Sequence, residues 1–343
     1  MGSRILRFLH EPGGYRIVMG SLLVTLLLLA TLGGSQWTHY GPRDMDLEAQ
    51  MQPPSPSWLR HALTSQEGLD RWEKKRAEGV RGPSAGSLSS EESFDFLRAE
   101  PGPEAGDGKK KPAGSLLEHH VLGTDRDGRD MLALLIAGAR NCLLPGLVTC
   151  AVALCLGLPL GLLAGYYGGR LRRLLQSLSG TILSIPRLVL LLIVVCALEP
   201  NVYYIMAVLG LTLVPRVSEL LMTRVRLLAN QGFILAAREA GLTDWRILSR
   251  HLFWYQNRQV FTIQFSLIMA ESVLTETTLS YLQFGTKAPE VSWGNIIEGS
   301  QMTFFSGYYW ITFFPAFAII LAILGFFYLG DGLNARLAYR EGK

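Results

Sequence analysis

This 343-residue sequence is short of charge: Asp, Glu, Lys and Arg make up 17% of it, where a soluble domain carries about 25%. Cysteine is almost absent. Cys142, Cys150, Cys155 and Cys196 all fall inside apolar runs at no paired spacing, which argues for buried free thiols and against a disulfide framework or a zinc site. Chemical signatures are missing too. No Gly-x-x-x-x-Gly-Lys-Ser/Thr occurs, which excludes a P-loop ATPase, and Pro103 to Lys109 is only a near miss. Neither His-Glu-x-x-His nor Gly-x-Ser-x-Gly is present, and the six His include one adjacent pair, His119-His120. An intramembrane enzyme therefore lacks a recognisable centre, and a secondary transporter lacks a visible internal repeat. The formal net charge of +4 is modest and names no partner.

What is present is apolar length. Hydrophobic residues are 49% of the chain, and a spanning helix needs roughly 20 of them in near-continuous order. Six segments qualify or nearly do: Tyr15 to Leu32, Asn141 to Tyr166, Thr181 to Leu198, Val202 to Thr223, Val260 to Tyr281, and Trp310 to Leu329. The fourth and fifth carry polar residues. Arg4, Arg7 and Arg16 flank the first as they would a secretory signal, but Gly33-Gly34-Ser35-Gln36-Trp37 is a poor cleavage site, so the segment reads as an uncleaved anchor.

Basic residues orient the spans. Arg170, Arg172 and Arg173 lie between the second and third; Arg224, Arg226, Arg238, Arg246, Arg250 and Arg258 lie between the fourth and fifth; Arg336, Arg340 and Lys343 follow the sixth. The alternate loops hold none in 199–201 and only Lys287 in 282–309. The positive-inside rule places both termini in the cytoplasm, since a loop as long as 33–140 crosses largely regardless of its charge.

That first loop has two parts. Pro42 to about Ala113 is rich in Pro, Gly, Ser and mixed charge, including Lys109-Lys110-Lys111, and reads as partly disordered or loosely packed. His120 to Arg140 instead reads as a rigid turn leading into a span. Gly123 and Gly128 flank a carboxylate-rich stretch in which Asp125, Asp127 and Asp130 are placed to bond Arg126, Arg129 or backbone amides. A calcium loop would also need a downstream bidentate Glu, which is missing.

His120-x-Leu122-Gly123-Thr124-Asp125-x-x-Gly128-Arg129-Asp130, followed by Gly138-Ala139-Arg140, resembles the signature of the second permease subunit of dipeptide and oligopeptide ABC importers. The resemblance runs on through Gly161-x-x-Ala164-Gly165-Tyr166-Tyr167-Gly168-Gly169, Ser184-Ile185-Pro186, Ala236-Ala237-Arg238 with Gly241, Ser292-Trp293-Gly294-Asn295, and Leu329-Gly330-Asp331-Gly332-Leu333. It implies an all-α inner-membrane protein of six transmembrane helices with the type I importer permease fold and a large extracytoplasmic loop after the first. The organisation that follows is an N-terminus and first helix (1–35), an extracytoplasmic loop (36–119), a permease domain (120–335) and a cytoplasmic tail (336–343). The implied partners are a second permease, two ATPases, an extracytoplasmic substrate-binding protein and the lipid bilayer, with no nucleic acid. This chain would bind no cofactor; ATP and Mg would sit on the ATPases.

The cytoplasmic segment Asn230 to Tyr255 is where such a subunit would couple to its ATPase. Ala236, Ala237, Ala240 and Gly241 gather small side chains at helical spacing, Gly241 ends one helix, and Thr243 is placed to cap a second whose first turn holds Asp244. Arg246 and Arg250 would also suit a DNA-binding helix-turn-helix, but the position between two spans argues against it. By resemblance the coupling residues are Ala236, Ala237, Arg238, Gly241 and Asp244. The chain departs from the family where Leu235 replaces a usual Glu, Glu239 a small residue and Trp254 a Pro. A missing Glu and a missing Pro remove a polar contact and a fixed bend, so either the ATPase carries compensating changes or coupling here is weakened.

Ionisable residues in a bilayer point to function by default. Glu271 and Glu276, five apart in the fifth segment, are candidates for the translocation path or, more plainly, for bonding a neighbouring helix. Arg216 and Glu219, three apart, are placed to pair on one helix face, and Pro186 and Pro215 to bend their spans. Alternating access between two permeases, driven by ATPase closure on the coupling loops, is the mechanism this reading implies.

Overall fold

The computed structural model describes residues 13–37, 41–46, 49–54, 64, 70, 74, 120–197, 201–287 and 289–341. Most of the stretch read as loosely packed thus lies outside the described residues. Those described are overwhelmingly helical, with no named strand among them. In chain order the helices are α1 (Gly14–Trp37), α2 (Met131–Tyr167), α3 (Gly169–Leu183), α4 (Arg187–Ala197), α5 (Val202–Ala229), α6 (Gly232–Glu239), α7 (Asp244–Arg246), a π-helical stretch (Ile247–Asn257), α8 (Arg258–Tyr281), α9 (Trp293–Gly299), α10 (Gln301–Phe305) and α11 (Trp310–Glu341).

Four of these are long and apolar enough to cross a membrane: α1, α2, α5 and α11. The expected third span is not one straight rod. α3 and α4 meet at 83° across Ser184-Ile185-Pro186 and add a fifth crossing only if the pair is counted as one. Pro186 explains the break, since it lacks an amide donor and drives Ile185 out of the α region. Helix α8 is less apolar than these because Gln264, Ser266, Ser272, Thr275, Glu276, Thr277 and Ser280 are built into it. All of these are nevertheless buried, against α2, α9 and α11.

Helix α2 begins ten residues before the expected Asn141. Asp130 caps it, accepting the Ala133 amide at 2.9 Å, and the amphipathic run to Arg140 is simply its first turns. Its partner along most of its length is α5. The approach depends on Gly157, Gly161 and Gly165, which recur every fourth residue and form one small-residue ridge. A methyl group at Gly161 would stand 2.5 Å from the Ser218 carbonyl oxygen. α11 runs through the expected Leu329 boundary and packs against α1, where Arg16 pairs with Asp331.

Residues 41–46 and 49–54, at the start of the stretch read as loosely packed, make specific contacts. They dock on the turn before α2: Thr124 N–H donates to Gln52 O and Met51 N–H to Asp125 O, both at 3.0 Å, and the Thr124 hydroxyl bonds Ala49 O. Gly128, at φ 76°, admits this strand against Asp46, where any side chain would collide.

Candidate functional site

At the cytoplasmic end expected from the Arg pattern, α6 is closed by a Schellman motif. Leu242 N–H donates to Ala237 O (3.1 Å) and Gly241 N–H to Arg238 O (3.0 Å), with Gly241 at φ 79°. Nothing lies within 4 Å of a Cβ at Gly241, so the requirement there is conformational, not steric. Thr243 occupies the N-cap position of α7 but its side chain makes no capping bond. Ile234, Ile247, Leu248 and Leu252 turn inward and are buried. Ala236, Leu235, Ala240 and Trp245 face outward. Ala237 is half-buried against the core, so the small residues do not all gather on one surface. The π-helical stretch then joins α8. The Asn257 amide donates to Leu252 O at 2.8 Å, supporting the wider turn from within.

Two aromatic hydroxyls at the end of α2 tie this bend to the bundle. Tyr166 OH donates to Asp244 at 2.6 Å and accepts from Arg238 Nε at 3.0 Å, and Tyr167 OH reaches Asp244 at 3.4 Å. The Arg238 guanidinium also lies 4.8 Å from the Tyr166 ring centroid. The Tyr166 bond pushes the Arg238 pKa further up, so the guanidinium stays charged. One side chain thus reads both short helices. The motif reading located Tyr166 but assigned it no role; the available signal was a hydroxyl pair at the end of an otherwise apolar span.

On the opposite side, the turn 120–130 is a closed hydrogen-bonded unit. Asp125 accepts Arg129 Nε (2.8 Å) and the amides of Asp127 (2.9 Å) and Arg129 (2.8 Å). Burial pushes its carboxyl above the ordinary value while Arg129 opposes the rise. Asp127 pairs with Arg129 at 3.1 Å, and Asp130 accepts from His120 Nδ1 at 2.9 Å. Gly123 closes the turn at φ 81°, and Trp310 Nε1 donates to Thr124 O at 3.1 Å, fixing α11 to it. The carboxylates are thus turned to protein partners. The Ser292-Trp293-Gly294-Asn295 segment forms a capping box and leans on α2 through Trp293 Nε1 to Leu135 O at 2.9 Å.

Glu271 and Glu276 are held apart by α8 and do different things. Glu276 is fully buried and accepts from Cys142 Sγ (2.8 Å), Ser280 (2.7 Å), Thr286 (3.1 Å) and Ser292 (3.3 Å), joining α2, α8 and the start of α9. Glu271 is partly open and pairs with Arg187 of α4 and, at 3.2 Å, Arg216 of α5. The expected Arg216–Glu219 pairing does not form. Arg216 reaches the Glu271 carboxylate on a facing helix instead.

Comparison with known proteins bears on the chain as a whole. The family model described as "binding-protein-dependent transport system inner membrane component" matches residues 157–341, more than half of the chain. A dipeptide transport system permease protein of Alkalihalophilus pseudofirmus is 32% identical over 218 residues, 64% of this chain and 71% of that one. A glutathione transport system permease protein of Pectobacterium atrosepticum is 28% identical over 72% of this chain and 77% of its own. An oligopeptide transport system permease protein of Bacillus subtilis is 28% identical over 64% of this chain and 71% of its own.

Proposed function

Because the chain belongs to the family of binding-protein-dependent transport system inner membrane components, we propose that it forms half of a peptide translocation path and draws its energy from partner ATPases. It is an inner-membrane permease subunit of an ABC importer. The similar proteins are permeases for dipeptides, glutathione and oligopeptides, which favours short peptides as cargo. A second permease completes the path, two ATPases bind ATP and Mg, and an extracytoplasmic binding protein delivers the peptide to the surface around His120–Asp130 and Val291–Met302.

Six crossings follow if the bent α3–α4 pair counts as one and α8, shielded by its neighbours, as another. Both termini are then cytoplasmic, the residues between α1 and α2 are extracytoplasmic, and 120–335 forms the permease domain. Glu276 serves as a helix contact and Glu271 lines the path.

The observation that carries the coupling role is the α6–Gly241–α7 bend, outward-facing at Leu235, Ala236 and Trp245 and bound to α2 through Tyr166. Ala236, Ala237, Arg238, Gly241 and Asp244 are the coupling residues: the exposed face docks on an ATPase, and Asp244 and Arg238 pass its displacement to Tyr166. The test is disulfide trapping. Cys placed at Trp245 should cross-link to a Cys in the ATPase's helical groove and lock ATP hydrolysis until reduced. Absence of any cross-link from the bend, with the complex intact, would remove the assignment.

A further inference from the structure

Three helices converge on Glu271. Arg187, the first residue of α4, and Arg216, midway along α5, both pair with its carboxylate. Two guanidiniums meet one carboxylate, so the cluster keeps one uncompensated positive charge; Glu219, three residues from Arg216, pairs with neither. Such an excess at the level of the spans is costly unless it faces a water-filled path or a partner of opposite sign. The cluster is not sealed: the side chains of Arg187, Arg216 and Glu271 are 28%, 49% and 25% exposed. Beside Arg187 a cavity of about 210 Å3 opens at the helix break, walled by Ile185, Pro186, Leu190 and Thr212. Walls of mixed character, aliphatic side chains beside the Thr212 hydroxyl and the Arg187 guanidinium, suit a small organic acid.

We propose that Arg187, Arg216 and Glu271 form a carboxylate-exchange station, at which the C-terminal carboxylate of a transiting peptide displaces Glu271 from one of the two guanidiniums. This rests on the permease reading above. Arg binds carboxylates through paired N–H donors, and Glu271 occupies those donors whenever no cargo does. Arrival and departure are each an exchange of one carboxylate for another, so no bare cation is left behind and no cargo is trapped. Glu276 offers no comparable vacancy, since every one of its partners is uncharged and the group is enclosed.

The experiment uses the complete assembly of this chain, second permease, ATPases and binding protein in proteoliposomes, with labelled dialanine and its C-terminal amide as probes. The readout is the ratio of acid to amide uptake, which cancels general damage and the binding protein's own preference. Arg216→Gln should lower the ratio about tenfold, as expected for losing a charge-assisted hydrogen bond, with Arg216→Lys restoring much of it. Glu271→Gln removes the competitor and should act in the opposite sense, lowering the KM for the acid several-fold. Equal losses of acid and amide uptake in both variants would overturn the proposal, leaving a structural ion cluster or a contact to the second permease. An unchanged ratio, or uptake of neither probe while loaded binding protein still stimulates ATP hydrolysis, would overturn it alone. No stimulated hydrolysis by the wild-type assembly would overturn the importer reading as well.

Discussion

Tyr166 shows how much one hydroxyl can hold: it donates to Asp244 and accepts from Arg238 on either side of the bend. Tyr166→Phe keeps the ring under Arg238 and deletes both bonds, each worth about 1.5–3 kcal/mol when a charged group is involved. Peptide-stimulated ATP hydrolysis in vesicles is expected to fall at least several-fold, with membrane insertion and co-purification of the second permease unchanged. Gly241→Val should act more severely. A β-branched residue at φ 79° carries roughly 1–2 kcal/mol of strain and would abolish stimulated hydrolysis and transport, whereas Leu235→Glu on the exposed face should be far milder. Normal transport by Gly241→Val would show that the bend is not the coupling element.

Glu276 belongs to the same scale but concerns stability. Glu276→Ala strands the donors of Cys142, Ser280, Thr286 and Ser292, at about 1–3 kcal/mol for each left unpaired. The detergent-solubilised protein should unfold at a clearly lower temperature by fluorescence-detected size exclusion, with Glu276→Gln in between because it keeps the shape and one acceptor.

Among the elements, α2 and α5 show what sequence periodicity could and could not disclose. Their apolar length was plain, but Gly157, Gly161 and Gly165 show their packing role only once α5 is seen against them. Gly161→Leu would wedge the pair apart at Ser218, and loss of monodisperse protein on extraction is the expected result. The start of α2 was not legible, because Asp130 to Arg140 reads as amphipathic surface until Trp293 and Asn141 are seen bonding across it. α8 is the harder case. Much of its polarity is satisfied internally, for the hydroxyls of Ser272, Thr275 and Thr277 bond carbonyls of their own helix and that of Ser280 bonds the Glu276 carboxylate. The α3–α4 break was foreshadowed by Pro186 as a bend, but its 83° angle depends on what the two pieces pack against. Arg216 misled for a related reason: i to i+3 spacing identifies a possible neighbour on one helix, not the partner on the next.

For the molecule as a whole, the coupling bend and the signature turn should lie on opposite sides of the membrane. Asn230→Cys is expected to react with an impermeant maleimide only from the cytoplasmic side, and Glu290→Cys only from outside, in a background without native Cys. Labelling of Asn230→Cys from outside would reverse the topology and sink the coupling assignment with it. The ordered motifs made the permease family readable. The molecule's inner wiring was not, since the groups that connect its two faces to the bundle, Tyr166 and Trp310, are single residues without a spacing to betray them.

The docking of residues 41–46 and 49–54 on the turn at 120–130 has a further consequence. Gln52 and Thr124 exchange hydrogen bonds in both directions, which closes a clasp between the two segments. Thr64, buried and bridged to Tyr308, is a second anchor, so the cassette that clasp and anchor hold runs from beyond Thr64 to His120. Closing such a loop depends only weakly on its length, about 0.6 kcal/mol for each doubling. Cassettes of other lengths and compositions should be exchangeable there with little effect on the fold. Replacing residues 76–115 with a short Gly/Ser linker should leave expression and thermal stability close to wild type, whereas cutting into 49–54 or removing Thr64 should not. If the shortened protein fails to accumulate in the membrane, the clasp does not carry the junction alone.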